Sequence, residues 1–264
     1  MEYNNVTVAL LVFICGAIMI FYVYKFVGDK KIARKNVPSL DEISQILGQQ
    51  VPFFQALCDD AQQRFTERVQ YFLMTTKISA EKGAEVTESD KILVAASATI
   101  PLFHFDQWSY ENLDEVLIYP GTFNEKYNVD ATDRNILGMV GDGAMHRKMI
   151  LSLRALRYGF SPEAQSNTAI HEFVHLIDKA DGQIDGIPEY LIPKSLIQPW
   201  LEEMHETIRM IRNEKSDIRE YATTNEAEFL AVVSEYFFQK PLQLQEDHPE
   251  LFKLLDEIYN RKDK

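Results

Sequence analysis

The chain has 264 residues, of which 46% are hydrophobic, 25% charged and 11% aromatic. That balance excludes a disordered, collagen-like or low-complexity protein and leaves apolar material for one medium domain or two small ones. With 40 acidic against 27 basic residues the net charge is −13, which argues against nucleic acid as a partner because phosphate binding needs clustered cations. Cys15 and Cys58 are the only cysteines, so neither a disulfide scaffold nor a Cys-based zinc site is available.

Taken in chain order, the first feature is an uncharged stretch from Tyr3 to Tyr24, dense in Val, Leu, Ile and Phe. As a helix, residues 6–27 would extend about 33 Å, enough for a bilayer core. Lys25, Lys30, Lys31, Arg34 and Lys35 follow it, whereas only Glu2 precedes it. The excess of positive charge on the C-terminal side predicts a single-pass anchor with residues 1–5 outside. A basic juxtamembrane linker over 28–44 and a domain over 45–264 on the cytoplasmic side of a bacterial inner membrane follow from it. A cleaved signal peptide is disfavoured because no Lys or Arg precedes the run and no small-x-small site follows it.

Ser39-Leu-Asp-Glu42 is a capping box and predicts a short helix. Pro52 opens a longer one, from Phe53 to about Met74, with Phe53, Leu57, Ala61, Phe65, Val69 and Phe72 at helical spacing. Thr87-Glu-Ser-Asp90 caps a third. Val116–Tyr119 before Pro120-Gly121 reads as a buried strand, and Met149–Leu153 as another. Ser161-Pro162-Glu163 is a helix start, and the helix is expected to run to about Ala180 with Gly182 as its stop. Further helices are expected near 199–213, 224–238 and 247–261, with Pro241 between the last two. The expected fold class is therefore α+β, mainly helical, preceded by one transmembrane helix.

The chemistry concentrates in His171-Glu172-Phe173-Val174-His175. Two histidines four apart share one face of a helix, so both imidazoles can reach one zinc ion. Glu172 lies beside that face, where it can take a proton from bound water. A zinc site needs a third protein ligand, and three residues compete for the role. Asp181 lies ten residues after His171, but a third ligand at that distance needs a sharp turn, usually at Gly, where this chain has Asp178. Glu226 and Glu228 lie on a later predicted helix, and periodicity does not choose between them.

The motif His171-Glu-Phe-Val-His-Leu-Ile-Asp178, followed by Asp181-Gly, Gly186-Ile-Pro188 and Ala227-Glu-Phe-Leu-Ala-Val-Val-Ser-Glu-Tyr-Phe-Phe238, resembles the Mlc titration factor A family of zinc metallopeptidases. Val116-Leu-Ile-Tyr-Pro-Gly-Thr-Phe123 and Ala95-Ala96 fit the same family, so the resemblance covers about residues 45–260. Tyr221-Ala-Thr-Thr-Asn-Glu-Ala-Glu-Phe229 is also similar to the catalytic domain of anthrax lethal factor. The resemblance implies a zincin-like domain, a Zn2+ cofactor held by His171, His175 and Glu228, and Glu172 as the catalytic base. It also implies that Tyr221 stabilises the oxyanion and that peptides or proteins are the substrates. Family members known as regulators lack an anchor, so binding to the glucose regulator Mlc is not carried over.

Asp178 and Glu235 are candidates to orient the imidazoles from behind. His104, His146, His205 and His248 read as surface or structural histidines. The strand at Met149–Leu153 precedes the zinc helix and is expected to offer an edge to an extended peptide. Two rival functions stand beside the enzyme. One is a membrane-tethered regulatory protein with a latent or structural zinc site and a protein partner of unknown identity. The other is a metal-dependent hydrolase of a non-peptide amide.

Overall fold

The structure is a computed structural model that describes residues 37–260, apart from Gln107, Asp142, Glu189 and Tyr190, together with the isolated positions Ile14 and Gly16. One compact unit runs Pro38–Lys264. Ser39 caps its first helix, α1 (Leu40–Gln50), as expected: the Ser39 hydroxyl accepts from Glu42 N while Glu42 accepts from Ser39 N at 2.8 Å. The expected single helix from Phe53 is instead two, α2 (Pro52–Gln55) and α3 (Asp59–Thr75). Asp59 and Asp60 open α3, where two carboxylates complement the positive end of the helix dipole.

Strand β1 (Lys77–Ala80) follows, and then α4 (Glu88–Thr99), capped by the reciprocal Thr87–Asp90 box. Every residue of α4 from Ile92 to Thr99 is buried, so α4 forms the centre of the helical layer rather than a surface stripe. Arg157 clamps its start with two bonds of 2.8 Å to the Asp90 carboxylate.

The sheet adds β2 (Glu115–Tyr119), β3 (Gly138–Val140) and β4 (Lys148–Ser152), in the spatial order β1-β2-β4-β3. β1, β2 and β4 are parallel, and β3 is antiparallel to β4. Val116, Ile118, Met149 and Leu151 face the main core, whereas Leu117, Tyr119 and Ile150 pack with Phe123 on the opposite face. Burial on both faces explains the unbroken apolar runs of β2 and β4. It also corrects the expected substrate edge: β4 is interior, paired on both sides, and the edge next to it is β3.

Helix α5 (Leu153–Gly159) leads to α6 (Thr168–Asp178), the helix of the His-Glu-x-x-His motif. α6 starts six residues later than Ser161-Pro162 suggests, because Asn167 is the cap: its side chain accepts from Ile170 N at 3.1 Å. A 3-10 turn, Lys179–Asp181, extends α6 to Gly182, the expected stop. The remaining helices are α7 (Lys194–Arg212), α8 (Glu226–Gln239), α9 (Pro241–Asp247) and α10 (Pro249–Tyr259). A 3-10 turn, Glu220–Thr223, precedes α8.

The membrane expectation is corrected. Among the described residues no helix is long and apolar enough to cross a membrane. The most buried helices, α4, α6 and α8, have 12, 11 and 14 residues, against the roughly 20 that a span requires. α7 has 19 residues but carries Glu202, Glu203, Glu206, Arg209 and Arg212. The stretch 6–27, to which the span was assigned, lies outside the described residues except for Ile14 and Gly16, as does 28–36 of the linker. A transmembrane helix, a single-pass topology, an inner-membrane location and the membrane as a partner therefore form no part of the reading below.

Candidate active site

Two buried helices build the site. α6 is buried along nearly its whole length, Ala169–Val174 and Leu176–Asp178, and α8 packs against it with Phe229, Leu230, Val232 and Val233 in the core. This packing brings Glu228, one turn into α8, opposite His171 and His175, one turn apart on α6. The start of α8 is held by Asn225, whose side chain accepts from Glu228 N at 2.8 Å. The loop before α7 packs against it: a Cβ at Gly186 (φ 73°) would fall 2.4 Å from Glu226 O. Trp200 donates to Gly186 O at 2.8 Å, and Gly186 N donates to Asp178 at 3.0 Å, so the loop ties α6, α7 and α8 together at the level of the site.

His171 Nε2 lies 3.0 Å from His175 Nε2 and 3.0 Å from Glu228 Oε2, and His175 Nε2 lies 3.5 Å from the same carboxylate oxygen. Three ligand atoms at about 2.0–2.1 Å from a tetrahedral zinc ion stand about 3.3–3.4 Å apart, so these separations fit zinc. The donor set, two imidazoles and one carboxylate, is that of a catalytic zinc site with room for water. Among the described residues, His171, His175 and Glu228 form the one group that meets the geometric requirement for a metal.

Behind the ligands, His171 Nδ1 bonds Glu235 Oε1 at 2.7 Å. The same oxygen accepts from Arg219 at 2.7 Å, and the second oxygen accepts from Asn167 N, the cap of α6, at 2.7 Å. Glu235 is 2% exposed. Asp178, the other expected acceptor, is buried and accepts from Gly186 N, while its Oδ1 and His175 Nδ1 have no hydrogen-bond partner. Burial pushes the Asp178 carboxyl up to about 6, against the pull of the Gly186 amide.

Glu172 is 6% exposed and points at β3: a Cβ on Gly138 would lie 2.6 Å from its Cγ and its Oε1. Burial raises its pKa, and the charges of Glu228 and Glu235 add to that against the two imidazoles. Burial also opposes ionisation of Glu228, but the hydrogen bonds and charges of His171 and His175 override it and hold Glu228 well below the usual carboxylate range. In His171, burial opposes the proton, and the Glu228 and Glu235 carboxylates outweigh it, lifting the imidazole to about 10. Three carboxylates around two imidazoles make a pocket with a strong demand for positive charge.

Tyr221, 51% exposed in the turn before α8, stands with its ring 6.0 Å from that of His171. Burial of its hydroxyl, then the charge and hydrogen bond of Glu228, push its pKa up to about 12, so the phenol keeps its proton. His171, Glu172, His175, Tyr221 and Glu228 therefore meet in one place. Asp181 does not join them: it sits exposed after α6 and accepts from Gln183 N at 3.0 Å. Glu226 is exposed at the first position of α8. His248 is buried against Asp217, 2.7 Å away, apart from the cluster. Sequence reasoning did not single out Gly138, Asn167 or Arg219. The contacts that reveal them are tertiary, although Asn167 was visible as a cap residue four positions before His171.

Residues 26–260 match the family described as glucose-regulated metallo-peptidase M90. An uncharacterized protein of Synechocystis sp. is 26% identical over 244 residues, covering 88% of this chain and 87% of its own length. Mlc titration factor A of Pectobacterium atrosepticum is 25% identical over 229 residues, 80% of this chain and 83% of the relative. The Escherichia fergusonii protein of the same name is 27% identical with the same coverage. With the His-Glu-x-x-His helix, the distant Glu228 and a cluster suited to zinc, the chain has the active site of a zinc metallopeptidase, and it belongs to the glucose-regulated metallo-peptidase M90 family.

Proposed function

We propose that the protein hydrolyses peptide bonds, with His171, His175 and Glu228 as zinc ligands, Glu172 as general base and Tyr221 as oxyanion donor. The observation that carries this reading is the meeting of the three ligand atoms within 4.8 Å of one another, with Glu172 on the same helix and Tyr221 alongside. Zinc, when bound, supplies the Lewis acid that brings the pKa of coordinated water toward neutrality. Glu172 accepts a proton from the attacking water and passes it to the leaving amine. Its raised pKa suits that exchange, because a base works best when its pKa approaches the operating pH. Tyr221, protonated and half-exposed, donates a hydrogen bond to the substrate carbonyl oxygen as charge develops there. The unpaired side of β3, whose Gly138 touches Glu172, is the edge along which an extended peptide adds as a further strand.

The test is hydrolysis of a mixed peptide pool by the full chain, beside three variants. Glu172→Gln is expected to keep zinc and lose turnover. Glu228→Ala is expected to lose zinc, and Asp181→Ala to retain both zinc and activity. Zinc loss in Asp181→Ala with retention in Glu228→Ala would overturn the ligand assignment. A wild-type chain that binds zinc and cuts no peptide would overturn peptide hydrolysis and favour a binding role for the site.

A further inference from the structure

We propose that Arg219 is a positioning residue of the zinc site, acting through Glu235. The inference rests on the ligand assignment above and extends it to a residue outside the His-Glu-x-x-His helix and the Glu228 helix.

Glu235 is shared three ways. Its Oε1 holds both His171 Nδ1 and an Arg219 nitrogen, each at 2.7 Å, and its Oε2 holds Asn167 N at 2.7 Å. One carboxylate thus sets the imidazole plane of a ligand and the first turn of the helix that carries it. Arg219 is the one side-chain cation bonded to this carboxylate among the described residues besides His171. A buried carboxylate stripped of one partner does not hold its geometry, because the remaining groups must satisfy its charge alone. Arg219 is also the residue preceding the Glu220–Thr223 turn, two positions before Tyr221. The guanidinium therefore fastens the Tyr221 turn and the His171 ring to the same oxygen. Partners behind a metal-bound histidine typically carry 10–100-fold in metal affinity or activity.

The position is accessible. The Arg219 side chain is 42% exposed and lines an open cavity of about 290 Å3 together with Glu235, Gln165, Val232, Gln239 and Lys240. Removing the side chain enlarges this cavity and leaves the Glu235 carboxylate reachable by a small cation. A guanidinium ion can then reoccupy the place of the lost group beside Glu235.

The experiment uses the full chain with Arg219→Ala and Arg219→Lys. Zinc affinity is read by chelator competition, and kcat and KM are read on a peptide that the wild type cleaves. Arg219→Ala is expected to weaken zinc binding and lower kcat by about 10–100-fold each, with KM little changed, and Arg219→Lys to fall between. Guanidinium chloride, compared with sodium chloride at equal ionic strength, is expected to restore kcat and zinc affinity in Arg219→Ala and to leave the wild type unchanged. Zinc affinity and kcat within about twofold of wild type, or no response to guanidinium, would overturn the proposal. Should Arg219→Ala fail to fold, Arg219→Gln is held to the same zinc-affinity and kcat thresholds. His171→Ala runs alongside: if it retains zinc as the wild type does, the ligand assignment itself is wrong, whereas zinc loss there with an unaffected Arg219→Ala refutes the positioning role alone.

Discussion

Replacing Gly138 by alanine puts a methyl group against the proposed general base. Gly138 lies in the edge strand β3, pairs with Leu151 of β4 and has no left-handed backbone, so alanine suits its conformation. The new Cβ would stand 2.6 Å from Glu172 Cγ, 2.6 Å from its Oε1 and 2.8 Å from its Cδ. Carbon atoms in contact prefer about 3.5–4.0 Å, so the carboxylate has to retreat by about 1 Å. None of the proposed zinc ligands on α6 and α8 is among the three atoms nearest that Cβ. A misplacement of about 1 Å in a reacting group costs on the order of 100-fold in rate, or about 2.7 kcal/mol of barrier. Gly138→Ala is therefore expected to lower kcat/KM by about two orders of magnitude while zinc content, measured by atomic emission, stays at wild-type stoichiometry. In a Glu172→Gln background, which already lacks the base, the same substitution is expected to cost almost nothing further. Activity within about threefold of wild type, or full additivity in the double mutant, would refute the role of this contact.

Tyr221→Phe is expected to keep zinc and to lower kcat by about 100-fold or more, since one oxyanion donor is worth about 2.7–4 kcal/mol; an unchanged kcat would remove Tyr221 from the reaction. Glu115 offers a test of stability against pH. It bonds Lys77 at 2.7 Å, Ser79 at 2.6 Å and Lys148 at 3.2 Å, joining the starts of the three parallel strands. Burial opposes its charge, but these partners prevail and bring its pKa down to about 2. A depressed carboxylate contributes stability above its unfolded value of about 4.5, and the contribution disappears as pH falls toward 2. The full depression corresponds to about 3 kcal/mol, which exposure of the Lys77 and Lys148 side chains, 62% and 39%, reduces to about 1–2 kcal/mol by solvent screening. Glu115→Gln is expected to show that deficit in urea unfolding at pH 7 and to lose most of it by pH 2; a deficit at pH 2 as large as that at pH 7 would contradict the assignment.

Local signals were legible without coordinates wherever the physics is local. Ser39 and Thr87 cap the helices they were expected to cap, because a capping box closes within four residues. The apolar runs at Val116–Tyr119 and Met149–Leu153 are strands, shifted by a residue in the second case. The spacing of His171 and His175 determined on its own that one metal can be shared, since four residues make about one helical turn. The start of α6 was misplaced at Ser161-Pro162 because the backbone N–H of Asn167 is taken by Glu235, 68 residues away, a bond no local pattern announces. Composition has its limit in the other direction: the uncharged run Tyr3–Tyr24 is long enough to span a bilayer, but it lies almost wholly outside the described residues, among which no helix qualifies as a span.

Tertiary structure alone decided the rest. Asp181, Glu226 and Glu228 are equally acidic in sequence, and only the packing of α8 on α6 places one of them, Glu228, 3.0 Å from His171 while leaving the other two at the surface. Strand order likewise depends on pairing across the fold, which put β4 in the interior and left β3 as the edge beside Glu172. The chemistry available to the chain is written in which side chains it has and in their spacing along one helix. Which of them act together is set by contacts between residues tens of positions apart, where burial and shared hydrogen bonds, not periodicity, fix the distances.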